Sequence, residues 1–281
     1  MSSRTALSLG PVARLALIAP ILLLVGSFLW SLGGVVLSSF VADRAPSLAL
    51  YGDLMSSAVT RGVILRTMWV AAAVTLLCVV LSYPVALFIS RSRHRNLLLV
   101  VVISPLLTSV VIRTFAWIVL LGSKGAINAL LLSLGLLDAP VRIMFTPVAV
   151  VIGLTHIFMP FMIISILAVL QQQDGQLVEA GMSLGAGRLE TFARVTLPLS
   201  LPGVLSGSSL VYMLCSGAIV TPLLLGGVRD RMLGTQIYEE IVELFDFRRA
   251  AGLAIVLSLS SIVVVISMMW CETRMRRWSR G

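Results

Sequence analysis

The sequence predicts an all-α membrane protein with six transmembrane helices, and three observations predict it. Hydrophobic residues make up 58% of the chain and charged residues only 12%, about half the charged share of a soluble domain. The mean hydropathy is +1.05. The apolar residues fall into six long runs, at 15–42, 67–90, 97–123, 143–173, 195–228 and 250–271. A spanning helix needs about 20 such residues, and backbone groups in lipid must bond within their own segment, which a helix does. The short alternating segments of a barrel are absent.

The first run follows Arg4 and Arg14. It far exceeds the apolar core of a cleaved signal peptide, about 7–15 residues, and is read as a retained span. The third run, 97–123, is interrupted only by Arg113. GAINALLLSLGLL at 125–137 is too short to cross, and is expected to form an interfacial or re-entrant helix. The stretch 229–249 carries Glu239, Glu240, Glu243 and Asp246, and its YEEIVELFDF predicts a short helix outside the membrane. That helix would be a solvated lid or a docking surface for an extracytoplasmic partner. No internal repeat or linker divides the chain, so residues 1–281 read as one transmembrane domain.

The net charge of +9 raises the question of nucleic acid. All basic residues but Lys124 are arginines, and they sit at the ends of apolar runs. Arginines holding helix ends at the headgroups answer the question without nucleic acid. The densest basic clusters are RSRHR at 91–95 and the tail RMRRWSR at 274–280. Placed inside by the rule for short loops, they put both termini in the cytoplasm, and the loop between the fourth and fifth runs there too.

Several chemistries are missing. There is no GxxxxGK[ST] phosphate loop, and His94 and His156 stand far apart with no HExxH or Ser–His–Asp pattern. No catalytic, cofactor or metal residue is expected. Cys78, Cys215 and Cys271 fit no metal or redox spacing and are read as inert. His156 is read as packing inside the bundle, with a pathway role as the alternative. Arg113, in SVVIRTFAWIVLL, would cost roughly 2.5–3.5 kcal/mol at a helix centre; it either snorkels toward the interface or meets the solute. Phe115, Trp117 and Tyr212 are the aromatic candidates for the lining of a path.

The loop EAGMSLGAGRLETFARVTLPLSLPG, 179–203, interrupts the apolar pattern. A short helix is expected over 176–186, with Leu177 and Leu184, and Val178 and Met182, making its apolar stripe. Gly185 and Gly187 allow a turn. A second helix is expected from Arg188, with Leu189, Phe192 and Ala193 on one face and Glu190–Arg194 as an i,i+4 pair. Pro198 should end or kink it, and Pro202 suits the first turn of the next helix. The product is a polar helix–turn–helix across the inner membrane face, serving as a linker or as a plug for a cytoplasmic partner.

This segment resembles the EAA loop of bacterial ABC-importer permeases. The pattern runs Glu179-Ala180-Gly181, three residues, Gly185, nine residues, then Val195-Thr196-Leu197-Pro198, with Gly181 where Ala is usual and Val195 where Ile is usual. The resemblance extends over roughly 61–269 and implies the type I importer permease (MetI-like) architecture. It implies that the cytoplasmic segment 174–200 docks on an ATPase dimer through Glu179, Ala180, Gly181, Gly185, Leu197 and Pro198. It further implies that ATP and magnesium are held by that partner and not by this chain. A second permease, identical or different, and a periplasmic solute-binding protein complete the assembly in the bacterial inner membrane. Stretches 113–128, 194–207 and 221–237 resemble spermidine/putrescine-type permeases, a subgroup also similar to importers of ferric iron, amino acids such as GABA, and phosphonates. Arg113, Phe115, Trp117, His156 and Tyr212 are then the candidate translocation residues. Two rivals stand beside this reading. One is an ion-coupled carrier, which should show relay acids within the runs, where none occur. The other is a membrane enzyme or scaffold, and an enzyme should gather polar groups at one depth.

Overall fold

The computed structural model of the chain describes residues 11–42, 45–173, 175–183 and 185–278. Arg4, Leu184 and Arg280 lie outside them, as do the side chains of Arg14, Val178, Cys271, Arg276 and Arg277. The helices are α1 (Pro11–Phe40), α2 (Ala49–Ser56), α3 (Ala58–Arg91), α4 (Arg95–Ile103), α5 (Val110–Leu121), α6 (Ala126–Ser133) and α7 (Pro147–Leu170). They continue with α8 (Gly175–Ser183), α9 (Arg188–Thr191), α10 (Leu197–Ser216), α11 (Val220–Leu225), α12 (Leu233–Val242) and α13 (Phe247–Trp278). Among the described residues, six stretches are long and apolar enough to cross a membrane: Ala19–Phe40, Ala58–Arg91, Val110–Ser133, Pro147–Leu170, Arg188–Ser216 and Phe247–Trp270. The fold is therefore all-α with six candidate spans.

The centre of the bundle is α7, packed between α3 and α10. Its start is set locally: Thr146 Oγ1 accepts the Ala149 N–H at 3.5 Å, and Pro147 occupies the first turn, where its missing N–H costs nothing. Val70, Val74 and Cys78 of α3, Leu154, Met162 and Ile166 of α7, and Val211 and Cys215 of α10 fill one buried core. The approach of α10 to α7 depends on glycine. A Cβ on Gly203 would stand 2.9 Å from the Ser165 carbonyl oxygen, and one on Gly207 2.8 Å from Met162 Sδ. Outside this core, α13 lies on α10 and α12, and α1 lies on α13. The outward faces of the spans, including Leu22, Trp30, Leu76 and Val263, are apolar and exposed, as lipid requires.

Two apolar runs do not form single helices. Run 97–123 narrows to a 3-10 turn at Ser104–Leu107, passes through extended Thr108, and restarts at α5. Pro105 at the head of that turn lacks an amide donor, and Ser109 Oγ accepts the Val111 N–H at 3.2 Å to cap the new helix. Run 195–228 divides after Gly217, where α10 ends and the separate α11 begins at Val220. In the fifth span Pro198 does not end the helix, and Pro202 differs from expectation. From Arg188 to Ser216 the chain stays helical, because Phe192–Thr196 widens into a π turn in which the Leu197 N–H bonds to the Phe192 carbonyl. The widened turn takes up the missing donor of Pro198, which therefore does not end the helix. Pro202 lies inside α10, beyond its first turn.

Candidate functional site

The segment between α7 and α10 begins with α8 and reverses at Gly185. There φ is +89°, a region that glycine enters without a Cβ penalty. The reversal closes with the Gly185 N–H on the Met182 carbonyl at 3.0 Å and the Ala186 N–H on the Gly181 carbonyl at 3.2 Å. The two short helices then meet where Gly181 faces Thr191; a Cβ on Gly181 would be 3.4 Å from Thr191 Cγ2. Thr191 is buried, and its hydroxyl donates to the Gly187 carbonyl at 3.0 Å. At the root, Gln173 Nε2 donates to the Thr196 carbonyl at 3.3 Å, which ties the end of α7 to the π turn.

The outer surface of this segment is apolar as well as charged. Leu177, Met182 and Leu189 are exposed, Leu189 at 81%. The stripe predicted on α8 thus turns Leu177 and Met182 away from the chain's own bundle. Glu179 and Ala180 are also exposed, as are Gly185 and Pro198, and Leu197 is half-buried. Glu190 and Arg194 form the expected i,i+4 pair at 3.1 Å, worth tenths of a kcal/mol at so exposed a site. A cleft of about 380 Å³ opens beside the segment, lined by Arg91, Glu179, Met182, Arg188, Thr191, Phe192 and Thr196. Arg91, the last residue of α3, entered the sequence reading only as part of the basic cluster at 91–95 and not as a neighbour of this segment.

The candidate path residues separate. Arg113 and Trp117, one turn apart on α5, come together with His156 of α7. The Trp117 and His156 rings meet edge to face with centroids 5.6 Å apart. The His156 side chain is exposed, not packed inside the bundle, because it lies on the uncovered stripe of α7 with Val148 and Ile164. Arg113 Nε and Nη1 are buried without a hydrogen-bond partner. Phe115 is 53% exposed and two residues off the Arg113–Trp117 face. Tyr212 is 3% exposed, within the core against α7, and lies apart from the open stripe.

The far end of the bundle carries α12. The N–H of Leu233 donates to Thr67 Oγ1 of α3 at 2.8 Å, and Arg66 reaches the Arg231 carbonyl at 3.4 Å. Two of the four acids predicted there are paired, while Glu243 and Asp246 are exposed. Glu239 lies 2.9 Å from Arg231, and buried Glu240 lies 3.1 Å from Arg249 Nε, an ionic contact without hydrogen-bond alignment. Burial pushes the Glu239 carboxyl above its usual range; Arg231 opposes this, and Glu243 and Glu240 add to it. A cleft of about 890 Å³ lies beside them, lined by Arg142, Phe145, Asp230, Arg231 and Glu239 among others. Buried Asn128 clamps the neighbouring loop, donating to the Gly122 and Val141 carbonyls and accepting the Val141 N–H.

Comparison with known proteins agrees with this geometry. Residues 82–277 match a protein family described as binding-protein-dependent transport system inner membrane component. The chain is 38% identical over 199 residues to the spermidine/putrescine transport system permease protein PotB of Escherichia coli K12, covering 70% of this chain and 72% of that one. Its fold is similar to that of a chain in a bacterial ABC transporter involved in the import of the acidic polysaccharide alginate. The TM-score there is 0.70 at 19% identity, over 94% of this chain and 96% of the other. A second structure of a bacterial alginate ABC transporter, in complex with an alginate pentasaccharide-bound periplasmic protein, gives 0.71 at 19% identity, over 91% and 93%.

Proposed function

The chain belongs to the family of binding-protein-dependent transport system inner membrane components and is a permease subunit of an ABC importer; from that premise we propose that residues 174–200 carry the stroke of a separate ABC ATPase into its spanning helices. It is a multi-pass inner membrane protein and a transport subunit rather than an enzyme. One observation carries the proposal. The segment presents Leu177, Met182 and Leu189 outward while its root is bonded to α7 and α10. An exposed apolar knob on rigid stems is what a groove on another protein can grip and push. Glu179, Ala180, Gly181, Gly185, Leu197 and Pro198 belong to this docking element. ATP and magnesium sit on the ATPase dimer.

In this reading a second permease, identical or different, completes the path, and a periplasmic binding protein delivers solute at the α12 end. Both termini are cytoplasmic, as the basic clusters at 91–95 and 274–280 suggest. The solute is a polyamine such as spermidine or putrescine. Support comes from the likeness to a permease so described, which covers 72% of that protein's length. The apolar runs hold no acid, so recognition of a polycation falls to the binding protein and the second permease. Arg113, Trp117 and His156 form this chain's contribution to the path wall.

Purification from the native membrane, with partners identified by mass spectrometry, tests the assembly. ATP-dependent uptake of labelled spermidine, putrescine and 4-aminobutyrate by the reconstituted complex tests the solute. The proposal expects an ATPase, a second permease and a binding protein in the eluate, and polyamine uptake that stops without ATP. A chain recovered alone that transports on an ion gradient would overturn it.

A further inference from the structure

Tyr83 lies in α3, outside the docking segment, yet it touches that segment on both sides of the π turn. Its ring meets Phe192, the first residue of the turn, edge to face at 5.8 Å. Its hydroxyl lies 2.7 Å from Ser200 Oγ, one turn into α10. Ser200 donates its own proton to the Leu197 carbonyl at 2.9 Å, so Tyr83 is the donor to Ser200. One side chain therefore grips the helix above and below the stretch where its register changes. Phe192 also lines the cleft shared with Glu179, Met182 and Arg188, so whatever displaces the docking segment displaces the Tyr83 contact.

The rest of α3 leads from that contact to the opposite end of the molecule. Pro84 follows Tyr83 inside the helix, where it removes one backbone hydrogen bond and allows bending. Ser82 Oγ donates to the Met159 carbonyl of α7 at 3.3 Å, which fixes the preceding face. At the other end, Thr67 holds α12 through Leu233. Thr67 and Tyr83 are about 24 Å apart along one helix. A movement at Phe192 can thus reach the wall of the far cleft through a single helix, without passing through the path.

We propose that Tyr83 is a positioning residue that couples displacement of the docking segment to α3, and through α3 to α12, during the transport cycle. The inference rests on the reading of residues 174–200 as the ATPase contact. The test uses the complete importer reconstituted in liposomes, with solute uptake and ATP hydrolysis measured on the same preparation. Tyr83→Phe keeps the ring on Phe192 and removes the hydroxyl; Ser200→Ala removes the same bond from the other side. Each should lower uptake per ATP hydrolysed roughly three- to tenfold, the range one hydrogen bond covers, and Tyr83→Phe, outside residues 174–200, should leave ATPase affinity unchanged. The double variant should lose no more than either single one. A purely structural role would reduce the amount of active complex and leave the ratio unchanged. Wild-type coupling with an unaltered ratio in both variants overturns the inference. Absence of solute-stimulated hydrolysis in the wild type would instead overturn the docking reading beneath it.

Discussion

Gly185 separates a backbone effect from a docking effect, because the two act on different substitutions. Its φ of +89° strains any L-residue, and a Cβ placed there meets nothing within 4 Å. Alanine therefore incurs the backbone cost alone, about 1–2 kcal/mol. Tryptophan incurs the same cost, and its ring enters space that this chain leaves open. If the turn is ordered for docking, that cost appears as roughly a five- to thirtyfold loss of ATPase affinity for Gly185→Ala. Gly185→Trp should lose far more, since its ring occupies the volume a partner needs. The assay is titration of purified ATPase against the permease complex in nanodiscs, read by co-sedimentation and by solute-stimulated hydrolysis. Circular dichroism of both variants checks that the helices persist. Equal losses for alanine and tryptophan would mean that the space at Gly185 is empty in the assembly, and would refute the reasoning.

Three further outcomes follow from the same packing. Gly181→Ala should be accepted, because its Cβ would make ordinary contact with Thr191 Cγ2 at 3.4 Å. It should firm α8 by about 1 kcal/mol of helix propensity, seen as slower amide exchange across 175–183. Gly203→Val should lower the melting temperature through a loss of about 1–3 kcal/mol, since even its Cβ would lie 2.9 Å from Ser165 O and Val169 Cγ2. Arg113→Met should leave the melting temperature unchanged or raised, because Nε and Nη1 bond to nothing. The same variant should alter solute uptake if the Arg113–His156 stripe lines the path; unchanged uptake would remove Arg113 from the path wall.

The spans were legible because run length and the absence of charge act residue by residue. The helix–turn–helix between the fourth and fifth spans was legible because Gly185 permits one reversal, and Glu179, Gly185 and Pro198 stand at family spacing. What escaped depends on contacts between elements. The break at Thr108–Ser109 arises where Pro105 and the Ser109 cap interrupt a run that still reads as apolar. The π turn at Phe192–Thr196 could not be read from Pro198, which alone predicts an end or a kink without saying which. His156 is exposed and Tyr212 buried, the reverse of the sequence expectation, since facing a seam or a core depends on which helices cover α7 and α10. Tyr83 and Ser200 carry no motif and become visible only when α3 lies against the fifth span.

The most direct test of the docking claim places a photo-reactive amino acid at Leu189, on the exposed docking segment, and at Val242, exposed at the far end on α12. The two single-site chains are illuminated in native membranes, and the adducts are identified by mass spectrometry. The account predicts an ATPase adduct from position 189 and none from position 242. An adduct at 189 with lipid alone, or an ATPase adduct from 242, would contradict it.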